Sequence, residues 1–280
     1  MAWLQIHPGL VELLFFRELQ DSFVQAGEIA LRYHGRNDAE LVKAGANPAQ
    51  QAVTEGDIEV NRFLVDLLAQ RYSNLTIYSE ESGFLNPGQP YRMILDPIDG
   101  SHRQYAAGLN FFSITGAVQR QTSPEQYETI MAVTYLPARN EMVGAMRGKG
   151  LTSFRKPIDK KVSSVSTLEQ ATIVDEEGWD GHKQDGAYQR YLQEVVVRER
   201  HQPYSSAAVL AYIATGRIEG LTFITLSPHD FEAGKLLVEE AGGKVDLFHR
   251  SGTEYLESRF DVVASNGIIH DRLLEVSGKK

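Results

Sequence analysis

The sequence predicts an α+β fold, and three patterns support this class. Apolar residues recur at helical spacing in the N-terminal quarter of the chain, which is typical of amphipathic helices. The middle of the chain carries β-rich runs separated by turn residues, a pattern that indicates antiparallel hairpins. The second half alternates strand and helix patterns, as α/β structures do. With 280 residues, the chain can form one large domain or two closely packed halves.

Two amphipathic helices separated by a polar loop are predicted in the N-terminal part. The first helix is expected over residues 11–33. Charged residues and Pro8 interrupt its apolar run, and no basic leader precedes it, so we expect neither a signal peptide nor a membrane span. Residues 35–52 are polar and contain Gly and Pro, as in a loop. The second helix follows, and its apolar face comprises Val60, Phe63, Leu64, Leu67 and Leu68.

Strands dominate the middle of the chain. They are expected in LTIYS and YRMILD, and then in FFSITGAV, TIMAVTYL and EMVGAM. The TSPEQYE segment predicts a hairpin between FFSITGAV and TIMAVTYL, because its turn residues separate two β-rich runs. The chain then becomes polar over residues 155–170, which indicates a boundary. We therefore expect an N-terminal α+β subdomain over 1–157 and a C-terminal α/β subdomain over 158–280, packed together as one unit.

Helices and strands alternate in the second half. The strands are expected in ATIVD, LTFITL, KVDLF and DVVASN. The helices are expected over residues 186–200, over the segment from 205 that Gly216 ends, and over 229–243, which ends in two glycines.

The composition excludes several kinds of chemistry. The chain has no cysteine, so disulfides, a thiolate nucleophile and cysteine-ligated metal centres are absent. This is compatible with a reducing cytoplasm, the location that we expect. The net charge is −9, which disfavours binding to nucleic acid polymers or to anionic membranes. A phosphorylated substrate would therefore need local positive charge, from clustered Lys and Arg or from metal ions.

Acidic residues follow three predicted strands and begin one predicted helix. The three strand ends are TIYSEE, RMILDPID and FITLSPHD. If these ends converge, their carboxylates form an all-oxygen cluster, and oxygen donors select hard cations such as Mg²⁺. Two such ions about 4 Å apart are a common device for hydrolysing phosphate esters. The candidate residues are Glu80, Asp96, Asp99, Asp230 and, at the helix start, Asp57.

Three of these motifs also have a purely structural interpretation. Thr54-x-x-Asp57 matches a capping box at the start of a helix. Asp230 suits the N-cap of the helix that follows it. The adjacent Glu80 and Glu81 are typical of a solvated loop. For Asp57 and Asp230, taken singly, the structural interpretation is the stronger one.

The motif Asp96-Pro-x-Asp99-Gly is also compatible with an acidic turn, because Pro, Asp and Gly are common turn residues. However, Gly100 permits a close approach of the backbone to a ligand. N–H groups at the start of a following helix would suit a phosphate. The residues alone leave both interpretations open.

Four motifs in order resemble the inositol monophosphatase family of Mg²⁺-dependent, lithium-sensitive phosphomonoesterases. They are VTEGD, SEES, DPIDGS and HDFEAGKLLVEEAGG, with AAVLAYIATGRIEG between the last two. The resemblance covers about residues 53–243. It implies a layered α/β/α/β/α sandwich, as in fructose-1,6-bisphosphatases, and a homodimer. The N-terminal subdomain would carry most of the metal ligands, and the C-terminal subdomain would carry Asp230.

The resemblance implies metal ligands and catalytic residues at matching positions. Glu80, Asp96 and the backbone carbonyl of Ile98 would bind one Mg²⁺. Asp96, Asp99 and Asp230 would bind a second ion, and a third could lie near Glu80 and Asp57. Mn²⁺ could replace Mg²⁺, and Ca²⁺ or Li⁺ would inhibit. The catalytic residues would be Asp57, Ser101 and Glu80.

In this scheme, the hydroxyl of Ser101 would pair with Asp57. The pair would orient and help deprotonate a metal-activated water for in-line attack on phosphorus.

The resemblance also implies substrate contacts at five positions. Gly100 and Ser101 would present N–H groups to the phosphate, and Ser101 stands where the family usually has threonine. His102 is unusual at its position. His229 replaces the tryptophan of the usual Trp-Asp pair and would form part of the pocket wall. Phe223 stands where inositol-specific members have a glutamate that binds hydroxyls, which argues against myo-inositol 1-phosphate as the preferred substrate.

The expected function is therefore hydrolysis of a small phosphorylated metabolite of the inositol phosphate or sugar phosphate type. A 3′(2′),5′-bisphosphate nucleotide phosphatase is an alternative, because Phe223 could line a slot for adenine. An alternative of another class is a non-catalytic family member that binds a metal or a partner. Two departures motivate this alternative: His229, and Gln104 at a place where the family has an aromatic residue. The retention of five acids opposes it. We expect no nucleic acid polymer and no membrane as a partner.

Overall fold

Two large β-sheets alternate with layers of α-helix in the computed structural model, which describes residues 8–36, 41–42, 52–154, 157–176, 196–201 and 205–278. Three hydrophobic clusters connect the layers. One packs the N-terminal helices on the first sheet, one packs the middle helices between the two sheets, and one packs the C-terminal helix on the second sheet. The order of the layers is therefore α/β/α/β/α. The α+β class and the layered sandwich are therefore confirmed.

Helices α1 (Pro8–Tyr33) and α2 (Glu55–Arg71) form the first outer layer. Both were predicted from their apolar spacing, and α2 buries Val60, Leu64 and Leu68 against the adjacent sheet. The segment predicted as a loop between them is not entirely irregular. Leu41–Val42 (β1) pairs with Ala52–Val53 (β2) in a short antiparallel ladder, and the intervening residues 43–51 lie outside the described part of the chain.

A seven-stranded sheet forms the second layer, in the order β4-β3-β5-β6-β7-β8-β9. Only β3 and β5 pair in parallel among these neighbours. The predicted hairpin is confirmed as β6 and β7. The strands are β3 Leu75–Ser79, β4 Gly83–Leu85, β5 Tyr91–Asp99, β6 Ser113–Ser123, β7 Gln126–Leu136, β8 Glu141–Met146 and β9 Leu151–Phe154.

Helices α3 (Ser206–Ala214) and α4 (Pro228–Glu240) lie between the two sheets. Eight of the nine residues of α3 are buried, as expected for a helix that is apolar on all sides. As predicted, α3 ends before Gly216, and α4 ends before the glycine pair at 242–243. This layer carries Asp230 toward the end of β5.

A five-stranded sheet forms the fourth layer, in the order β11-β10-β12-β14-β13. Helix α5 (His270–Val276) covers its outer face through a small cluster that includes Ile173, Val263 and Leu273. The strands are β10 Thr172–Glu176, β11 Glu199–His201, β12 Gly220–Leu226, β13 Lys244–Ser251 and β14 Arg259–Ser265.

The helix predicted over 186–200 is wrong at its C-terminal end. Residues 199 and 200 belong to β11, which pairs in parallel with β10, and residues 186–195 lie outside the described part of the chain. Backbone hydrogen bonds to β10 outweigh a helical preference that the β-branched VVV run already weakens.

The strands of the seven-stranded sheet come from residues 75–154, and those of the five-stranded sheet come from residues 172–265. The division into subdomains at 157/158 stays a prediction. None of the helices in the described residues is long and apolar enough to cross a membrane.

Candidate metal centre

Three carboxylates converge where β5 ends and α4 begins. Asp96 and Asp99 lie on β5, and Asp230 lies in the first turn of α4. One oxygen of each carboxylate lies within 4.8 Å of the others. Asp96 and Asp99 are buried, and Asp230 is partly buried. The structure therefore brings together three of the five acids that the sequence singled out.

A distortion of β5 allows Asp96 and Asp99 to share one site. Residues three apart in a regular strand point to opposite faces of the sheet. The register between β5 and β6 shifts between Asp96 and Asp99, and this irregularity spans Pro97 and Ile98. Proline has no N–H for the ladder, so an irregularity here is expected. Such a distortion re-aims side chains, which explains why two acids at this spacing can converge.

Burial is the main cause that raises the pKa of each of the three acids. Burial raises the pKa of Asp96 well above its ordinary range, and the charges of Glu80, Asp99 and Asp230 add to this. Burial and then the charge of Asp230 raise the pKa of Asp99. Burial also raises the pKa of Asp230, although the nearby His229 opposes the increase. A bound cation would offset this accumulation of negative charge.

One buried oxygen indicates that the donors suit a cation. Oδ1 of Asp96 is buried and has no hydrogen-bond partner among the described residues. Leaving such an acceptor unsatisfied is costly, whereas coordination to a cation would satisfy it. The convergent donors are all carboxylate oxygens, which favour hard ions such as Mg²⁺. The residues therefore fit the ion that the sequence predicts.

Glu80 directly follows β3, next to β5, and its N–H donates to the carbonyl of Leu95 over 3.1 Å. Its side chain is 37% exposed. The charge of Glu80 nevertheless raises the pKa of Asp96, and the charge of Glu81 raises that of Asp57. Glu80 therefore acts on Asp96 of the acidic cluster, whereas Glu81 acts on Asp57. Ile98, whose carbonyl the family resemblance implies as a metal ligand, is buried within the irregular part of β5.

Asp57 occupies the capping box that the sequence predicts. Its Oδ2 accepts hydrogen bonds from the backbone N–H of Thr54 over 2.8 Å and from the Thr54 hydroxyl over 2.6 Å. The Asp57 N–H donates in return to the Thr54 hydroxyl. Burial and then the charge of Glu81 raise the pKa of Asp57 to about 8. Asp57 is thus both a cap and a buried acid in the field of Glu80 and Glu81.

The chain leaves β5 through a left-handed glycine and a short π-helical turn. Gly100 has φ 88°, a conformation that residues with a side chain rarely adopt. The turn Ser101–Tyr105 follows, so the predicted helix start is one π-helical turn. Ser101 is partly buried, and the side chain of His102 lies outside the described part of the structure.

Gly56 allows this turn to pack against the start of α2. A Cβ at Gly56 would lie 2.1 Å from the Tyr105 hydroxyl oxygen. That hydroxyl donates to the carbonyl of Ala30 over 2.7 Å. Tyr105 therefore holds the turn next to Asp57.

Asp230 is not the N-cap of α4, so the predicted position of the cap is wrong, although Asp230 takes part in capping this helix. Ser227 is the N-cap, and Asp230 is the third helical residue. Oδ2 of Asp230 accepts a hydrogen bond from the N–H of Ser227 over 2.7 Å. Pro228 at the first helical position fixes where the helix begins and so moves the cap to Ser227.

His229 lies directly against the acids. Its side chain is 9% exposed, and its Nε2 lies 3.6 Å from Oδ1 of Asp230 and 3.9 Å from Oε2 of Glu80. Its ring centroid is 6.4 Å from that of Tyr78. Phe223 lies on β12 opposite Val262, and its side chain is outside the described part of the structure. Its predicted contact with substrate therefore stays a prediction.

Sequence reasoning missed two contributors at the start of α3. Oδ2 of Asp99 accepts hydrogen bonds from the Ser205 hydroxyl over 2.8 Å and from the Ala207 N–H over 2.7 Å. These bonds lower the pKa of Asp99 against the effect of burial. The serine before an apolar helix was a recognisable N-cap signal. No local sequence pattern predicts its contact with Asp99, because the two residues are 106 positions apart.

Comparison with known proteins agrees with this architecture. The family model described as "Inositol monophosphatase family" matches residues 15–279. The "Nus factor SuhB" of Salmonella typhimurium is 30% identical over 247 residues, which cover 86% of this chain and 87% of that protein. The "Fructose-1,6-bisphosphatase/inositol-1-monophosphatase" of Thermotoga maritima is 30% identical over 254 residues, which cover 90% of this chain and 91% of that protein.

Solved structures give the same fold. The IMPase of Thermotoga maritima superposes with a TM-score of 0.75 at 28% identity, and the match covers 92% of this chain and 94% of the other. The extragenic suppressor protein suhB of Bartonella henselae superposes with a TM-score of 0.80 at 24% identity, covering 93% and 97%. The latter likeness concerns the fold alone.

Proposed function

Because this chain belongs to the inositol monophosphatase family, we propose that it is a Mg²⁺-dependent phosphomonoesterase acting on a small phosphorylated metabolite. The convergence of Asp96, Asp99 and Asp230 within 4.8 Å carries this proposal. The buried Oδ1 of Asp96, which has no hydrogen-bond partner among the described residues, supports it.

Two ions would share the acidic cluster. Glu80, Asp96 and the Ile98 carbonyl would hold one, and Asp96, Asp99 and Asp230 would hold the other. Mg²⁺ bound there would offset the charge of the substrate phosphate and activate a water molecule. A third ion near Asp57, replacement by Mn²⁺, and inhibition by Li⁺ or Ca²⁺ belong to the same proposal.

Asp57 and Ser101 would move the proton of the attacking water. The two hydrogen bonds from Thr54 hold Oδ2 of Asp57, and its Oδ1 would accept from the Ser101 hydroxyl. Burial and the charge of Glu81 raise the pKa of Asp57 to about 8 without metal, and a bound cation would lower it, so that Asp57 would accept the proton as a carboxylate. Ser101 would pass the proton between the water and Asp57.

The substrate would be small and anionic. The N–H groups of Gly100 and Ser101 would hold the phosphate at the start of the π-helical turn. His102, Phe223 and His229 would form the wall that selects the rest of the molecule. Phenylalanine at position 223 cannot accept hydrogen bonds from substrate hydroxyls, which argues against myo-inositol 1-phosphate as the preferred substrate and leaves a sugar phosphate or the alternative 3′(2′),5′-bisphosphate nucleotide open. A homodimer and a cytoplasmic location remain part of this proposal.

Release of phosphate by the purified chain tests the proposal. The panel contains 3′-phosphoadenosine 5′-phosphate, inositol 1-phosphate and fructose 1,6-bisphosphate, each with and without Mg²⁺. We expect Mg²⁺-dependent release from at least one substrate and its loss in Asp96→Asn, which keeps the side-chain shape. If no member of a wider phosphometabolite panel is hydrolysed, the proposal fails.

A non-catalytic role is the second candidate, since the relative from Salmonella typhimurium is called a Nus factor. It predicts a chain that releases no phosphate. Calorimetry that detects neither Mg²⁺ nor Ca²⁺ binding would favour this role over the enzyme.

A further inference from the structure

A cavity of about 1050 Å³ lies beside α4, between the β6–β7 hairpin and the loop that joins β13 to β14. We call it the α4 cavity. Glu232, Lys235 and Glu239 line it from one face of α4, because residues three and four apart share a helix face. None of the described residues that line it is an acid of the proposed metal centre. The volume is comparable with that of small-molecule binding sites.

A carboxylate at the floor of the α4 cavity is held in place by neutral donors. Glu232 is 5% exposed, and its Oε2 accepts hydrogen bonds from the Thr129 hydroxyl over 2.7 Å and from the Gln119 amide over 3.2 Å. Its Oε1 accepts from the Tyr255 hydroxyl. These donors come from β7, β6 and the β13–β14 loop, so they fix the carboxylate without neutralising its charge.

Aromatic rings form part of the wall. The guanidinium carbon of Arg92 lies 3.6 Å from the centroid of the Tyr127 ring, and Nε of Arg92 donates to Gln119 over 2.5 Å. The cavity therefore already holds one cation against an aromatic face. Phe84, which is 49% exposed, adds a second ring to the lining. Such rings suit the alkyl chain and the ammonium groups of an organic amine.

The lining carries more negative than positive charge. Among the described residues, six glutamates and three basic residues line the α4 cavity. Two of the basic residues, Lys235 and Arg147, share one acid, Glu239, over 2.7 Å and 3.2 Å. The carboxylates of Glu254 and Glu257, on the β13–β14 loop, have no ion-pair partner in the described part of the chain. The negative charges lie on a hairpin, a helix and a loop, which favours a ligand with several separated positive groups.

We propose that the α4 cavity is a second binding site, which takes a small linear organic polyamine. Glu232 binds one ammonium group at the floor, and Glu254 and Glu257 bind another at the loop. The rings of Tyr127 and Phe84 contact the methylene chain between them. This site is separate from the metal centre, so the inference goes beyond the proposed function and does not depend on it.

Calorimetry of the full chain with spermidine, in excess Mg²⁺ to occupy the metal centre, tests this proposal. We expect saturable binding of one spermidine per chain. In the double variant Glu254→Gln/Glu257→Gln, which changes only exposed side chains, the dissociation constant should rise about fivefold or more. The matched control Glu12→Gln/Glu169→Gln removes the same charge from exposed positions outside the cavity, and it should change the constant less than about twofold.

Methyl NMR of the unmodified chain with labelled leucines locates the bound amine. Leu247 and Leu256 line the α4 cavity, whereas Leu273 is buried in the cluster beneath α5. Spermidine should shift the methyl signals of the first two leucines in proportion to the bound fraction, and it should leave Leu273 unchanged.

Three outcomes would overturn the inference. They are no binding of spermidine, an equal loss of affinity in both double variants, and methyl shifts confined to leucines outside the cavity. The second would indicate attraction to the acidic surface as a whole. If a variant does not fold, the NMR of the unmodified chain decides the question. None of these measurements uses phosphate release, so the phosphatase proposal stands or fails separately.

Discussion

The starts of α2 and α4 use the same local device and differ in what surrounds it. In each helix an aspartate at the third position accepts a hydrogen bond at Oδ2 from the N–H of the N-cap residue, over 2.8 Å for Asp57 and 2.7 Å for Asp230. Asp57 also accepts a hydrogen bond from the hydroxyl of its cap, Thr54. Asp230 lies within 4.8 Å of Asp96 and Asp99 and next to His229.

This difference teaches that a helix cap and a metal ligand are not exclusive alternatives. A carboxylate has two oxygens, and a cap uses one of them. The remaining oxygen is available to whatever the fold places opposite. For Asp230 the fold supplies two more carboxylates, and for Asp57 it supplies the negative field of Glu81 and Glu80. The two aspartates should therefore respond differently to the same substitution.

The largest effect is expected for Asp230→Asn. The amide oxygen can still accept from Ser227, so the helix start should remain folded, but a charged ligand is lost. We expect Mg²⁺-dependent phosphate release to fall about a thousandfold, because a bound metal supplies several kcal/mol of transition-state stabilisation. Calorimetry should show weaker Mg²⁺ binding. Unchanged Mg²⁺ affinity would show that Asp230 serves only as a cap.

Asp57→Asn should have a smaller effect that separates proton transfer from metal binding. Loss of the proton acceptor should lower kcat about a hundredfold, within the usual contribution of general base catalysis. Mg²⁺ affinity at the Asp96, Asp99 and Asp230 cluster should stay close to that of the unmodified chain, since these ligands are intact, and only an ion near Asp57 should bind more weakly. Steady-state kinetics and calorimetry on the same preparation check this. An equal loss of Mg²⁺ binding would make Asp57 a metal ligand like Asp230.

The raised pKa of Asp57 makes the stability of the metal-free protein depend on pH. An unfolded aspartate titrates near 3.9, whereas Asp57 in the fold titrates at about 8. Its contribution to stability is therefore fully present below pH of about 4 and is lost as pH rises through about 8, because the unfolded state releases its proton first. Burial shifts the pKa of Asp96, Asp99 and Asp230 in the same direction.

We expect the Tm without metal to fall between pH 5 and pH 8, and Mg²⁺ to raise the Tm more at pH 8. Asp57→Asn should flatten part of this slope, which differential scanning calorimetry can measure. A metal-free Tm that rises over this range would contradict the assigned direction.

The smallest effect is expected for the caps themselves. Thr54→Val removes the 2.6 Å hydrogen bond to Asp57 and should lower the free energy of unfolding by about 1 kcal/mol. Because that bond lowers the pKa of Asp57, its removal should also shift the pH–rate profile to higher pH. Ser227→Ala keeps the backbone bond to Asp230 and should leave the profile in place. Denaturant unfolding and pH–rate curves compare the two variants. If both variants have the same pH–rate profile, the Thr54 hydroxyl does not influence catalysis.

Much of the fold followed from local patterns. The apolar face of α2, the hairpin of β6 and β7, and the glycine that follows α3 are all set by residues close in sequence. The end of the predicted helix over 186–200 failed because residues 199 and 200 pair with β10, a partner more than twenty positions away. A short segment takes the conformation that its distant partner stabilises.

The sequence by itself determined which acids the protein has, the order of the motifs that contain them, and the capping box that begins α2. Only the tertiary structure decided that Asp96, Asp99 and Asp230 share one site, that Ser205 supports Asp99, and that His229 lies against Glu80. The physical reason is distance along the chain. Caps and amphipathic faces arise from contacts between near neighbours, whereas the site requires a distorted strand and a helix start more than a hundred residues apart to meet in space.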